Sequence, residues 1–407
     1  MAETKKKKSF LNMIKAKGGM DVTFFLILMT VVTVGLVMLF SASYTYSYYN
    51  RSGDSTYIFR RQLLFAVLGL GAMYAISHIR YEYFKLVALI GVVVSFILLV
   101  LVLLLPEYKP GFKRWIDLGF TTFQPSEIAK IGLILILALL LDKDYKDITG
   151  KIPSNAFLLK KMDEISNGKI VIYKSFTKVI IYGILIVTFA GLIYLENHLS
   201  GTVLMLGIGI VMLFLGEVKY RWFVVAVGVL AILVIFIVAN PQILEKYAGE
   251  RITAWLDKDY EPMGARWQTN NSLYAIGSGG LLGTGLGQSK QKHLYVSEPQ
   301  NDFIFSIVCE ELGFIGAATI ILIFAALVYR GIQIGLRASD RFGALLSMGI
   351  SFQVGIQVAL NIAVVSDLIP NTGISLPFFS AGGTSIFILL CEMGMILSVS
   401  RSARKKE

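Results

Sequence analysis

Ten apolar runs, separated by polar or charged stretches, set the rhythm of the chain. They lie near residues 22–42, 62–79, 86–105, 126–141, 179–195, 199–215, 222–239, 304–329, 342–364 and 384–399. A helix needs about 20 apolar residues to cross the hydrocarbon of a bilayer, and these runs approach that length. The pattern predicts an all-α polytopic membrane protein of about ten transmembrane helices, forming a single membrane domain over residues 1–407. The fifth and sixth runs are split only by Glu196-Asn197-His198, which forces a tight hairpin. The first run follows the basic stretch Lys5 to Lys8 and ends in Ser41-Ala42-Ser43, which faintly resembles a signal-peptide cleavage site. It is too long for a signal-peptide core and reads as a retained helix.

Composition agrees: 55% of the 407 residues are hydrophobic and 16% charged, too apolar for one soluble core. The net charge of +11 would suggest nucleic acid in a soluble protein. Here the basic residues cluster between apolar runs, so anionic headgroups are the expected counter-charge and no nucleic acid is. With the N-terminus inside and the runs alternating, 25 of the 38 Lys and Arg fall on the cytoplasmic side and 12 outside, with Lys130 inside a span. The positive-inside rule therefore places both termini in the cytoplasm, with tails at 1–20 and 400–407.

Two connections are long. Residues 142–178 carry eight lysines and read as a solvated cytoplasmic loop. Residues 240–302, between the seventh and eighth spans, lie outside and are too long for a mere connector; long loops of this kind usually carry function. Within them Gly277, Gly279, Gly280, Gly283, Gly285 and Gly287 let the backbone approach a ligand or the bilayer closely. A nucleotide loop is excluded, since Gly-Lys-Ser/Thr is absent, and a flexible re-entrant segment is the plainer alternative.

Candidate chemistry sits beside these loops. The outer loop ends Glu298-Pro299-Gln300-Asn301-Asp302-Phe303-Ile304-Phe305, delivering a carboxylate to the edge of an apolar helix. A carboxyl partly stripped of water is a better base, suited to taking a proton from a sugar hydroxyl. An Asp before a helix is equally an ordinary N-cap, and the residues alone leave both roles open. Glu127 and Lys130, three apart after Pro125-Ser126, share one helical face within a span, either as a polar cavity or as a structural ion pair. Lys113-Arg114-Trp115 suits a phosphate or an interfacial anchor. Of the adjacent acids Glu310 and Glu311, at most one faces the cavity of Asp302. His78, His198 and His293 are scattered and Cys309 and Cys391 lie in apolar runs, so neither a zinc site nor a disulfide is expected.

Three ordered stretches resemble the SEDS (shape, elongation, division and sporulation) family. The first is Arg114-Trp115-Ile116 followed by Gln124-Pro125-Ser126-Glu127-Ile128-Ala129-Lys130. The second runs from Gln268 through Gly277-Ser278-Gly279-Gly280 and Gly285-Leu286-Gly287-Gln288-Ser289 to Asp302 and Glu310-Glu311-Leu312-Gly313. The third is Thr372-Gly373-Ile374 through Leu376-Pro377-Phe378 to Gly382-Gly383-Thr384-Ser385. The forms at 298–305 and 285–292 resemble the FtsW and SpoVE branch more than RodA. Departures fall at Asn197-His198-Leu199-Ser200, where members usually carry Pro-Asp-Leu-Gly or Pro-His-Leu-Ser, and at Ser297 and Ala381, where Pro and Tyr are usual.

The resemblance implies a peptidoglycan glycosyltransferase in the bacterial cytoplasmic membrane, polymerising lipid II at its outer face beside a class B penicillin-binding protein and other divisome or elongasome membrane proteins. The branch points to cell division. It implies Asp302 as the catalytic residue. Substrate would be held among Arg114, Lys113, Gln124, Ser126, Glu127, Lys130, Gln288, Ser289, Lys290, Gln291 and Glu298. The leaving pyrophosphate would be steadied by Arg114, Lys130, Lys290 or Lys292, or by a divalent cation, Mg2+ or Mn2+; no organic cofactor is called for. The alternatives are a RodA-like elongation polymerase, a lipid II flippase or transporter, and a non-catalytic scaffold.

Overall fold

Inside lipid a backbone satisfies its own polar groups as helix, and helices dominate this chain. The computed structural model describes residues 16, 18–106, 113–119, 121–149, 169–224, 252–264 and 266–402. Eleven helices suffice to place the site: α1 (Val22–Asn50), α2 (Tyr57–Ser77), α3 (Phe84–Leu104), α4 (Pro125–Lys143), the short α5 (Tyr145–Thr149), α6 (Lys169–Leu195), α7 (Leu199–Leu215), α8 (Trp267–Gly279), α9 (Ile304–Leu336), α10 (Arg341–Val365) and α11 (Gly383–Ser402). One small β-hairpin, β1 (Ile116–Asp117) with β2 (Thr122–Phe123), pairs Ile116 with Phe123 just before α4.

Sequence chemistry starts these helices where they start. Asp21 and Asp340 cap α1 and α10, accepting from Phe24 N and Gly343 N, each at 2.9 Å. Pro125 opens α4, where its missing N–H costs nothing. Seven of the described helices are long and apolar enough to cross a membrane. Helix α7 is apolar but shorter, and α4 is long enough but carries Glu127, Lys130, Asp142 and Lys143. These nine match nine of the ten expected spans. The remaining one, 222–239, lies outside the described residues apart from its first three, as do residues 150–168 and 240–251 of the two long connections.

Helix α4 is buried along most of its length and packs against α3, α7 and α10, which shields Glu127 and Lys130 from lipid. The outer helices do the reverse: on α3, Leu86, Leu89, Ile90, Val93 and Ile97 are all exposed along one stripe. An apolar surface this continuous requires a bilayer around it. The residues leading into α1 and the end of α11 meet at one end of the bundle, where Asp21 N donates to Ser400 Oγ (3.1 Å), Arg401 to Gly18 O (2.9 Å) and Arg330 pairs with Asp21 (2.8 Å). Helices α4 and α11 begin at the other end.

The glycine-rich stretch folds differently from its expectation. Its first part is helix α8. Beyond it the backbone docks on α9 rather than on a ligand: Thr284 N and Gly285 N donate to the carbonyls of Glu310 and Glu311 at 2.9 and 3.0 Å, and Phe314 N donates to Gly280 O at 2.9 Å. Gly313, at φ 66°, breaks α9 there and frees those carbonyls for the incoming chain. A Cβ on Gly283 would lie 2.2 Å from Glu311 O, so only glycine fits.

Candidate functional site

At the end of the bundle away from the termini, a cavity of about 320 Å³ opens between the β-hairpin, the first turns of α4, the α6–α7 turn, the residues entering α9, α10, the segment 373–382 and the start of α11. Its deep wall is ionic. Lys130 Nζ pairs with Glu127 Oε2 at 2.9 Å, with both side chains under a tenth exposed, and donates to Gln357 Oε1 at 3.2 Å. Ser385 Oγ donates to Glu127 Oε2 at 3.1 Å, and Gln357 Nε2 to Ser375 O at 3.1 Å. The ion pair anticipated from the i, i+3 spacing is therefore formed, and it also lines the cavity. Just below it, Gln353 Nε2 donates at 2.8 Å to Glu392, a buried acid of α11 outside the expected site residues.

Asp302 lines the rim. The cap position of α9 falls on Phe303, which makes no side-chain cap bond, so Asp302 stands one residue outside it. Gly373, at φ 72°, brings its backbone so close that a Cβ there would sit 3.0 Å from Asp302 Oδ2. Asn301 Nδ2 donates to Glu298 Oε2 at 2.7 Å, so Glu298 is drawn to the same rim. Across from them stand Arg114 and Gln124, the latter 3.3 Å from His198 Nδ1. Ser126 Oγ lines the cavity with no hydrogen-bond partner among the described residues.

Beside Arg114, in the α6–α7 turn, Glu196 is fully buried and neither carboxylate oxygen has a hydrogen-bond partner among the described residues. Burial pushes its carboxyl up to about 8, while the charge of Arg114 pulls the other way. In the sequence Glu196 marks the hairpin, and its chemical signal is an acid in the shortest polar break between two apolar runs.

Of the expected site residues, Asp302, Arg114, Gln124, Ser126, Glu127, Lys130 and Glu298 meet in this one cavity. Lys113 does not line it. Gln288, Ser289, Lys290 and Gln291 do not line it either: the last three meet the two acids of α9. Ser289 Oγ donates to Glu310 Oε2 at 2.5 Å and Lys290 N to Glu310 Oε1 at 2.8 Å, with Gln291 N also directed at that carboxylate. Lys292 Nζ is occupied by Glu311 Oε1 (2.8 Å), Gly287 O (2.7 Å) and Ser41 Oγ (3.0 Å), so it is spent on structure. Glu310 and Glu311 are both buried, and neither lines the cavity. The physical reason is that buried carboxylates demand donors, and the loop beside them supplies these.

Fold and cavity together define a multi-pass membrane protein with an acidic and basic chamber sunk into one end of its helix bundle. Residues 21–405 match the FtsW/RodA/SpoVE family, described as cell cycle proteins. Stage V sporulation protein E of Bacillus subtilis is 38% identical over 397 residues, covering 96% of this chain and all of that one. The probable peptidoglycan glycosyltransferase FtsW of Geobacter sp. (strain M18) is 33% identical, covering 95% of this chain and 98% of the relative. The chain belongs to the FtsW/RodA/SpoVE family. Among solved structures, a chain of a peptidoglycan synthase complex that coordinates polymerization and crosslinking superposes with TM-score 0.72 at 24% identity, covering 94% of this chain and 98% of that one. The rod shape determining protein RodA of Thermus thermophilus does so with TM-score 0.63 at 24% identity, covering 95% and 99%. The identities agree with the FtsW and SpoVE leaning of the motifs.

Proposed function

We propose that this chain is a peptidoglycan glycosyltransferase that lengthens glycan strands from lipid II at the outer face of the bacterial cytoplasmic membrane, in an FtsW-like role. The observation that carries the reading is Asp302 at the rim of a polar cavity shared with Arg114 and the Glu127–Lys130 pair, at the end of the bundle remote from Gly18 and Arg401. The excess of Lys and Arg on the side of the termini supports placing that cavity outside. The printed names of the FtsW relatives support the same activity.

In this reading Asp302 takes the proton of the acceptor's 4-hydroxyl as that oxygen bonds to the donor's anomeric carbon. The bond from that carbon to phosphate breaks with inversion, and undecaprenyl pyrophosphate departs with the electron pair. Arg114 and Lys130 are the cavity's cations and offset the charge developing on the leaving group. Among the described residues no three His, Cys, Asp or Glu side chains form a metal cluster. A divalent cation would therefore be held as Mg2+ commonly is, by substrate phosphates with a carboxylate such as Glu298, and would supply charge neutralisation. A class B penicillin-binding protein is the proposed partner, supported by the synthase complex to which the fold is similar.

The test is polymerisation of purified lipid II by the full chain in detergent. Wild type forms glycan, and Asp302→Asn forms none while eluting as the same folded species. Near wild-type polymer from Asp302→Asn refutes the reading. Because no sealed membrane is present, product formation also separates an enzyme from a lipid II transporter.

A further inference from the structure

The residues entering α9 carry a backbone problem. The carbonyls of Gln300, Asn301 and Asp302 precede the first helical turn and lie beside a buried wall, so each needs a partner from elsewhere. All three find one in a single neighbouring unit. Ala381 N donates to Gln300 O at 2.8 Å, Ser380 Oγ to Asn301 O at 2.8 Å, and Asn361 Nδ2 to Asp302 O at 2.7 Å.

Each of these holders is itself held. Asn361, fully buried on α10, gives its second amide hydrogen to Ile374 O at 2.6 Å, the residue after Gly373. Its own Oδ1 has no hydrogen-bond partner among the described residues, so its donors are satisfied at the expense of its acceptor. Ser380 Oγ also accepts from Leu376 N at 2.7 Å. Gln62, buried on α2, grips the same segment with both ends of its amide: Nε2 donates to Ser380 O at 3.2 Å, and Oε1 accepts from Gly382 N at 3.0 Å. Neither Gln62 nor Asn361 lines the cavity.

We propose that Asn361, Ser380 and Gln62 are positioning residues that fix the peptide carrying Asp302, so that its carboxylate faces the reacting sugar oxygen rather than turning with a mobile loop end. The proposal rests on the polymerase reading of Asp302. Asn361 acts directly on the Asp302 carbonyl, whereas Gln62 acts from α2 through the backbone at 380–382. Asn361 and Gln62 hold Asp302 from outside the cavity lining, and so affect the rate rather than substrate affinity, whereas Ser380 also lines the cavity and is read by kcat alone.

Polymerisation by the full chain in detergent, with kcat and KM measured separately and thermal midpoints in parallel, tests this. Misplacing a reacting group by 1 Å costs about 100-fold, so Asn361→Ala is expected to lower kcat about 100-fold with KM within about twofold of wild type. Asn361→Asp, which keeps the shape but loses the donor, falls equally far. Gln62→Ala loses roughly tenfold in kcat, since one linkage separates it from Asp302. Ser380→Ala also loses kcat, and Ser380→Thr, which keeps the hydroxyl, restores it even if the Asn361 variants fail to fold. The proposal is overturned if kcat is unchanged in Ser380→Ala and Gln62→Ala, or if KM rises while kcat holds. A wild-type chain that forms no polymer sinks the polymerase reading and this proposal with it; equal kcat in wild type and variants sinks the proposal alone.

Discussion

Lys292 offers a sharp test of how the outer loop is held. Its ammonium meets Glu311 Oε1 at 2.8 Å, with side-chain exposures of 5% and 0%, beside Ser41 Oγ, which reaches the same carboxylate at 2.7 Å. At that separation and an effective dielectric near 20, the Coulomb attraction is about 6 kcal/mol. Stripping water from the lysine offsets part of it. Removing one partner of such a buried pair costs about 3–5 kcal/mol, because the other charge is left uncompensated. In Lys292→Met the donors left to the carboxylate among the described residues are Ser41 Oγ and, at 3.3 Å, Ser289 N, each contributing about 1.5–3 kcal/mol. The melting midpoint of the purified chain in detergent should fall by several degrees. Adding Glu311→Gln should recover most of the loss, since the amide oxygen still accepts from Ser41 and Ser289 and no charge remains. Polymer formed per folded molecule should stay near wild type in the double variant. A Lys292→Met chain that melts normally but makes no polymer would refute the structural assignment and return this lysine to the substrate.

Two further predictions concern the cavity's edge. Gly373→Ala places a methyl 3.0 Å from Asp302 Oδ2 on a backbone at φ 72°, which costs an alanine about 1–2 kcal/mol; kcat should drop well beyond any change in KM, and an unaltered rate would show that Asp302 has room to move. Glu196, raised to about 8 from 4.5 by burial, holds its proton in the folded chain over a range where the unfolded chain has lost it. Stability should therefore decline by up to roughly 1.4 kcal/mol per pH unit as pH rises from about 4.5 through about 8, then level off. Glu196→Gln should match wild type near pH 5 and exceed it above about pH 8; a pH–stability curve unchanged by the substitution would remove Glu196 as its cause.

Much of the site was legible because charge inside an apolar run stands out. Glu127, Lys130 and Asp302 announce themselves this way, and the ordered motifs around them converge on one cavity. The residues that fall away from the cavity do so for a physical cause. Gln288 to Lys292 form a polar stretch in a glycine-rich loop, and nothing in one dimension says which neighbour a loop will satisfy. Glu310 and Glu311, buried twenty residues further on, decided it. Asn361 and Gln62 went unnoticed for a different reason. An uncharged amide in a span barely disturbs the hydropathy pattern, and its worth depends wholly on the partner it meets.

The amides of α10 show what that partner choice achieves. Gln353, Gln357 and Asn361 are four apart and therefore share one helical face. Gln353 holds Glu392 of α11 at the deepest level, Gln357 holds Lys130 of α4 at the cavity wall, and Asn361 holds the Asp302 carbonyl at the rim. Sliding α10 by one residue would break all three contacts together and leave the buried polar groups of Glu392, Gln357 and the Asp302 carbonyl without these partners. The cost of leaving those buried polar groups unpaired fixes the register of α4, α10 and α11 more tightly than apolar packing alone, because apolar side chains in lipid lose little by slipping. A carboxylate at the rim inherits its placement from this ladder, so substitutions at Gln353, far from any sugar, should act on the same rate constant as those at Asn361.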